Sequence, residues 1–182
     1  MKVPILFESV EGQTRKIAEF VAQEVRKAGH DVSLFDASDN LAPFVFEDAQ
    51  KVIIVAPVHE RRHPASFEVY LGAHRRELAA RQTLLLSVSL HSAFPDSVGD
   101  AQDYVTEMKM RTKFHPSDTL LVAGAVRSSS YDFYASQIIR HVVLRGHEID
   151  PALAEHEFTD WAALASKIAG FLGSDSTLGA PA

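Results

Sequence analysis

Apolar runs and helix-period stretches alternate along this chain, which predicts an α/β fold: a doubly wound, five-stranded parallel sheet of order 2-1-3-4-5 with helices on both faces. Three observations predict it. Residues 3–7, 52–56, 84–90 and 120–126 are nearly continuous aliphatic runs, the pattern of strands buried on both sides of a parallel sheet. Helical segments separate them, so each connection is a right-handed βαβ crossover. The length, 182 residues, is that of about one domain.

Each element has its local reason. Strand 1 (3–7) runs into a polar loop, Ser9 to Thr14, and then a helix whose Ile17, Ala18, Val21, Ala22, Val25 and Ala28 share one face. Gly29 ends that helix as a C-cap. Residues 32–35 form a short strand that alternates with polar residues, as an edge strand does. After strand 3, Pro64 suits the first turn of a helix reaching about Ala80. Further helices are expected at 98–113 and 161–172, the last capped by Thr159 or Asp160. The domain is read as residues 1–172, with 127–158 an insertion after strand 5 and 173–182 a small, polar tail. Within the insertion Tyr131, Phe133, Tyr134, Ile138, Ile139, Val142, Val143 and Leu144 make a helix apolar over a wide arc. Such a helix either packs on the sheet or, through 131–144, faces a membrane surface or a hydrophobic partner.

Composition excludes several classes. There is no cysteine, and with it go disulfides, thiolate metal sites and cysteine nucleophiles. No uncharged run is long enough to span a bilayer, and the apolar start meets Glu8 at once, unlike a signal peptide, so the expected location is cytoplasmic. Of the net charge of −6, residues 1–145 contribute little, with 17 Lys+Arg against 18 Asp+Glu. The acidity lies beyond residue 145, where Lys167 faces six acids. A near-neutral body without a basic stripe argues against nucleic acid as a partner.

Ligands of open α/β sheets bind at the carboxyl ends of the strands, near the switch point between strands 1 and 3. The first loop there, Ser9-Val10-Glu11-Gly12-Gln13-Thr14, opens a helix: free backbone N–H groups, a positive dipole end and two hydroxyls suit a phosphate. Ser9 or Gln13 acting only as a helix cap is the plainer alternative. The loop lacks the Gly-Lys-Ser/Thr of ATPases and the spacing of a dinucleotide fingerprint.

At Ser9, Gly12 and Thr14 the loop resembles the phosphate-binding pattern of the flavodoxins, Ser/Thr-x-Thr-Gly-x-Thr, with Glu11 departing from it. A fuller resemblance is to the flavodoxin-like menaquinone-dependent protoporphyrinogen IX dehydrogenases. It is carried by Glu11-Gly12-Gln13-Thr14-Arg15, Ser87-Val88-Ser89-Leu90, Ala123-Gly124-Ala125-Val126-Arg127, Tyr131-x-Phe133-Tyr134 and Phe158-Thr159-Asp160-Trp161, in order along almost the whole chain. The resemblance implies an FMN cofactor that takes two electrons from a porphyrinogen and passes them to a quinone, with a peripheral contact to the inner face of the membrane. It implies that His59, Glu60 and Arg61 flank one side of the flavin ring and Ser89, Leu90, His91 and Ser92 the other. Arg61, Arg62 and Arg127 become candidates for the substrate's carboxylates, since guanidinium forks match carboxylate geometry. A solvated surface charge is the alternative for each. An FMN electron carrier that docks a redox protein, and a flavin-free binding domain on the same fold, are the competing classes.

His59-Glu60-Arg61-Arg62-His63 spells H-E-x-x-H, but zinc proteases need both His on one face of a continuous helix, and Pro57 and Pro64 bracket the stretch, so no metal site is expected. No Gly-x-Ser-x-Gly elbow exists for a serine hydrolase, and Ser128-Ser129-Ser130 reads as a turn. Trp161 reads as a packing residue.

Overall fold

The computed structural model describes residues 1–39, 45–46, 48–127 and 155–174. Five strands, β1 (Lys2–Phe7), β2 (Asp31–Asp36), β3 (Lys51–Pro57), β4 (Gln82–Ser89) and β5 (Asp118–Ala123), form one sheet in the order β2-β1-β3-β4-β5. Every neighbouring pair is parallel, with Ile5 beside Ile53, Ile53 beside Leu84 and Leu86 beside Leu120. This is the order expected from the sequence. β3 is buried throughout, while β2 is partly exposed as an edge should be.

Alternation along the strands divides the core in two. Val3, Ile5, Phe7, Ile53, Val55, Leu84 and Leu86 pack against α1 (Gln13–Lys27) and α5 (Trp161–Gly173). Leu6, Val52, Ile54 and Leu85 pack against α2 (Ala65–Ala73), α3 (Arg75–Ala79) and α4 (Val98–Thr112). In α1 the buried Ile17, Ala18, Val21, Ala22 and Val25 follow the helical period. Gly29, at φ 82°, follows the end of that helix in the left-handed conformation. Asp160 rather than Thr159 caps α5, its Oδ1 accepting from the Ala163 N–H at 2.9 Å.

Two expected elements are divided. The helix expected over 64–80 is α2 and α3, separated by His74, whose ring packs on Tyr70 and Phe46 with centroids 4.5 and 5.6 Å apart. The contact with Phe46 is a tertiary one that a helical period does not encode. Strand 5 likewise stops at Ala123. After Gly124 the chain leaves the sheet as β6 (Ala125–Arg127) and pairs antiparallel with β7 (Glu155–Glu157), Ala125 opposite Glu157 and Arg127 opposite Glu155. Backbone bonds from Gly124 N to Ser89 O, 3.1 Å, and from Phe158 N to Gly124 O, 3.0 Å, fix the departure. The expected helix at 131–144, the turn at 128–130 and the tail from 175 lie outside the described residues. Among the described residues no helix is long and apolar enough to cross a membrane.

Candidate functional site

The crevice between the carboxyl ends of β1 and β3 lies where the chain turns to opposite faces, to α1 after β1 and to α2 after β3. On its β1 side, Ser9 Oγ accepts from the backbone N–H groups of Gly12, 3.1 Å, and Arg15, 3.3 Å. Two donors thus converge on one oxygen beside the N-terminus of α1, whose first N–H groups lack intrahelical partners. Gly12 makes the turn possible at φ 91°, where a side chain would be strained. Thr14 is buried in the first turn of α1, and Val10 is exposed.

The nearby cations are already engaged. Arg15 Nη2 lies 2.5 Å from Asp36 Oδ2, and Lys16 is paired with Glu157. An anion here would therefore be held by backbone N–H groups and hydroxyls rather than by a free cation. The side chain of Gln13 is directed away from the loop: Nε2 donates to Glu157 Oε2 at 3.2 Å and to Thr159 Oγ1 at 3.1 Å. What Gln13 offers a ligand is its backbone N–H. Thr159 Oγ1 in turn donates to Ala123 O, 2.7 Å, which ties the loop to the end of β5. Trp161 packs on Phe20, centroids 4.8 Å apart, and its Nε1 donates to Glu157 Oε1 at 2.7 Å, the packing role expected of it.

On the β3 side the chain makes a tight hairpin. His59 and Arg62 exchange backbone bonds of 2.9 and 3.2 Å around Glu60 and Arg61, at φ 49° and 67°. Two successive left-handed residues are the mark of a type I′ turn, which favours Asn and Gly, so this turn holds backbone strain. His59 Nδ1 reaches Glu11 Oε1 across the crevice at 3.5 Å. Arg62 Nη2 is bound to Glu68 Oε2 at 2.6 Å, and Arg111 Nη2 to Glu68 Oε1 at 2.7 Å. Burial works to raise the Glu68 pKa, but the two guanidinium groups outweigh it and hold the carboxyl below its usual range. Arg62 therefore already has a carboxylate partner. Arg61 is exposed at the tip of the turn, and Arg127 stands in β6 opposite Glu155.

After β4, Ser89 Oγ lies 2.8 Å from Ser92 Oγ and accepts from the Ser92 N–H at 3.2 Å. Leu90 is half-buried, and residues His91–Ala93 form one 3-10 turn. The His91 ring meets Tyr104 edge-on, centroids 5.5 Å apart, and its Nε2 is 3.8 Å from Asp100 Oδ2. Burial lowers the His91 pKa, Asp100 opposes this, and Arg61 adds to it. The β3–α2 turn and the start of α4 thus share an electrostatic neighbourhood.

Two features escaped the sequence reading. His63 is fully buried with Nε2 3.1 Å from Ser87 Oγ, and its Nδ1 has no hydrogen-bond partner among the described residues. Burial pushes its pKa down to about 4, so the ring is neutral near pH 7. His59 is exposed on the hairpin while His63 is sealed in the core, so the two never share a helix face. The second feature is Glu8, only 8% exposed, whose oxygens lie 3.2 and 3.3 Å from the Ser66 hydroxyl. Burial raises its pKa, Ser66 lowers it, and Asp36 raises it. Its place was readable from alternation, since residue 8 shares a side with Leu6 and so faces α2.

A parallel sheet of this order with an anion-suited loop at its switch point defines a flavodoxin-like protein. A family model described as the flavodoxin domain matches residues 4–151, and the chain belongs to that family. Among individual proteins, it is 26% identical over 168 residues to the protoporphyrinogen IX dehydrogenase (quinone) of Escherichia coli, covering 91% of this chain and 92% of that one. The protein of the same name from Leishmania major is also 26% identical over 168 residues, covering 90% of this chain and 71% of that one. Among solved structures, oxidised flavodoxin 1 from Bacillus cereus superposes with a TM-score of 0.58 at 16% identity, covering 97% of this chain and all (100%) of that one. A mutant flavodoxin from Pseudomonas aeruginosa gives 0.51 at 17% identity, covering 95% and 100%. These structural likenesses carry the fold. The family and the named relatives support a flavin-dependent oxidoreductase.

Proposed function

We propose that the chain binds FMN and oxidises protoporphyrinogen IX with a quinone as electron acceptor. The observation that carries the cofactor is the β1–α1 loop, where Gly12 at φ 91° turns the chain into α1 at the switch point of the sheet, so that the helix's first N–H groups and the Thr14 hydroxyl begin beside the crevice. The reaction is supported by the names of relatives aligned over nine-tenths of the chain.

When bound, the flavin supplies the two-electron chemistry, and the protein supplies binding and orientation. Ser9, Gly12, Gln13 and Thr14 would hold the phosphate, with Val10 and Glu11 contributing backbone N–H groups. His59, Glu60 and Arg61 would stand on one side of the ring and Ser89, Leu90, His91 and Ser92 on the other. Arg61, at the tip of its turn and without a carboxylate partner among the described residues, is better placed than Arg62 to receive a substrate carboxylate, because Arg62 is held by Glu68. Arg127 remains the third candidate.

Anaerobic mixing of protoporphyrinogen with the FMN-loaded protein should bleach the flavin absorbance, and menaquinone should restore it. A flavin that stays oxidised with the porphyrinogen yet is reduced by a redox protein would assign the chain to electron carriers instead. The cofactor part has its own test: Thr14→Ala should weaken FMN by about 1 to 3 kcal/mol through a lost charge-assisted hydrogen bond, with the fold retained. Unchanged affinity in a fluorescence titration would place the phosphate elsewhere.

A further inference from the structure

Glu8 has no task in holding a phosphate, yet it lies at the carboxyl end of β1, next to the β1–α1 loop. It directly follows β1, and strand alternation turns it toward α2. Its one hydrogen-bond donor among the described residues is the Ser66 hydroxyl, shared between its two oxygens at 3.2 and 3.3 Å. No cation is paired with it among the described residues: Arg15 is held by Asp36, and His59 lies against Glu11. An ionised carboxylate has about four acceptor positions, so one hydroxyl leaves it under-satisfied at 8% exposure. Burial raises its pKa, with Asp36 adding to this and the Ser66 bond opposing it.

A phosphate dianion cannot supply what is missing, since it has no proton to donate and carries the same sign of charge. A polyol can, because each hydroxyl donates once. We propose that Glu8 accepts hydrogen bonds from ribityl hydroxyls of the flavin, and so selects a ligand with a polyhydroxylated chain between ring and phosphate. This rests on the flavin reading above and assigns a recognition role to a residue outside the phosphate loop.

The test compares FMN, riboflavin and lumiflavin, which lacks the ribityl chain, by fluorescence titration against the wild type, Glu8→Gln and Ser66→Ala. Glu8→Gln keeps the volume and can still accept from Ser66, but loses the charge. It should weaken FMN and riboflavin by the same factor, about tenfold or more, and leave lumiflavin unchanged. Ser66→Ala frees the carboxylate and should keep FMN affinity. The proposal is overturned if Glu8→Gln binds FMN as well as or better than the wild type, or loses FMN but not riboflavin, which would be a phosphate effect. It is equally overturned if Ser66→Ala loses as much as Glu8→Gln, which would make Glu8 a link between loops. The unaltered protein gives a second readout: flavin phosphates lacking single ribityl hydroxyls should bind about tenfold more weakly when one particular hydroxyl is missing, and equal binding throughout would overturn the assignment. A wild type that binds no flavin at all would instead remove the flavin reading.

Discussion

The two edges of the sheet are built on different principles. At the amino edge, the buried Lys51 and the half-buried Arg81 close off backbone carbonyls. Lys51 Nζ donates to Phe171 O, Leu172 O and Ser174 O at 2.7, 3.0 and 2.6 Å, finishing the C-terminus of α5. Arg81 spans Phe46 O, Ala49 O and Glu77 O at 3.0, 3.0 and 2.6 Å. Thr83 and Ser117 exchange backbone-to-hydroxyl bonds of 3.1 and 3.0 Å. At the carboxyl edge stand Glu8 with one shared donor, His63 with an unpartnered Nδ1, Gln13 with an unpartnered Oε1 among the described residues, and two left-handed residues at Glu60 and Arg61. The contrast teaches where a parallel sheet keeps its stability and where it tolerates unmet hydrogen bonds and strained backbone, which is the edge that receives ligands.

Three measurements bear on that contrast. The largest effect should come from His63. Its folded pKa, about 4, lies below the 6.5 of an ordinary imidazole, so the unfolded chain takes up the proton first as pH falls. The native state is therefore unaffected above about pH 7 and loses on the order of 3 kcal/mol as pH falls from 6.5 toward 4. Denaturant titrations at several pH values should show this slope in the wild type and a flatter one in His63→Gln. Equal slopes would mean that the carboxyl edge holds no desolvated histidine worth the name. Next, Lys51→Met keeps the aliphatic stem but orphans the carbonyls at the end of α5, and should cost about 2 kcal/mol while leaving FMN affinity unchanged. A loss of FMN affinity comparable to the loss of stability would join the two edges into one unit and break the comparison. The smallest effect is expected from Glu60→Gly, which relieves one left-handed residue on an exposed turn and should raise stability by about 1 kcal/mol. No gain in thermal unfolding would show that the turn is not strained.

How much of this could be read from the sequence depends on how far apart the interacting residues are. The strands and the Ser9 to Thr14 loop were legible because each rests on a local pattern: a short aliphatic run, a helical period, a glycine before a helix; the strand order was legible only by matching the number of strands and the chain length to a doubly wound fold. What was not legible is non-local. Gln13 looks like a phosphate-loop residue, and only the fold reveals that its amide is used by Thr159 and Glu157, 146 and 144 positions away. Arg62 looks like a spare cation until α2 and α4 bring Glu68 and Arg111 beside it. The division of strand 5 at Gly124 follows from pairing with β7, a partner that no window around residue 124 contains. His59 and His63 are the converse case: Pro57 and Pro64 already part them in the sequence, and the hairpin between them does so in the fold.

The pairing of β6 with β7 sets the backbone of Arg127 opposite Glu155, and it is tied to the β1–α1 loop through Gln13 and Glu157. The entropy of closing a loop on fixed ends rises only logarithmically with its length. Lengthening or shortening the sequence between Arg127 and Glu155 should therefore leave the sheet and the β1–α1 loop beside the pairing in place.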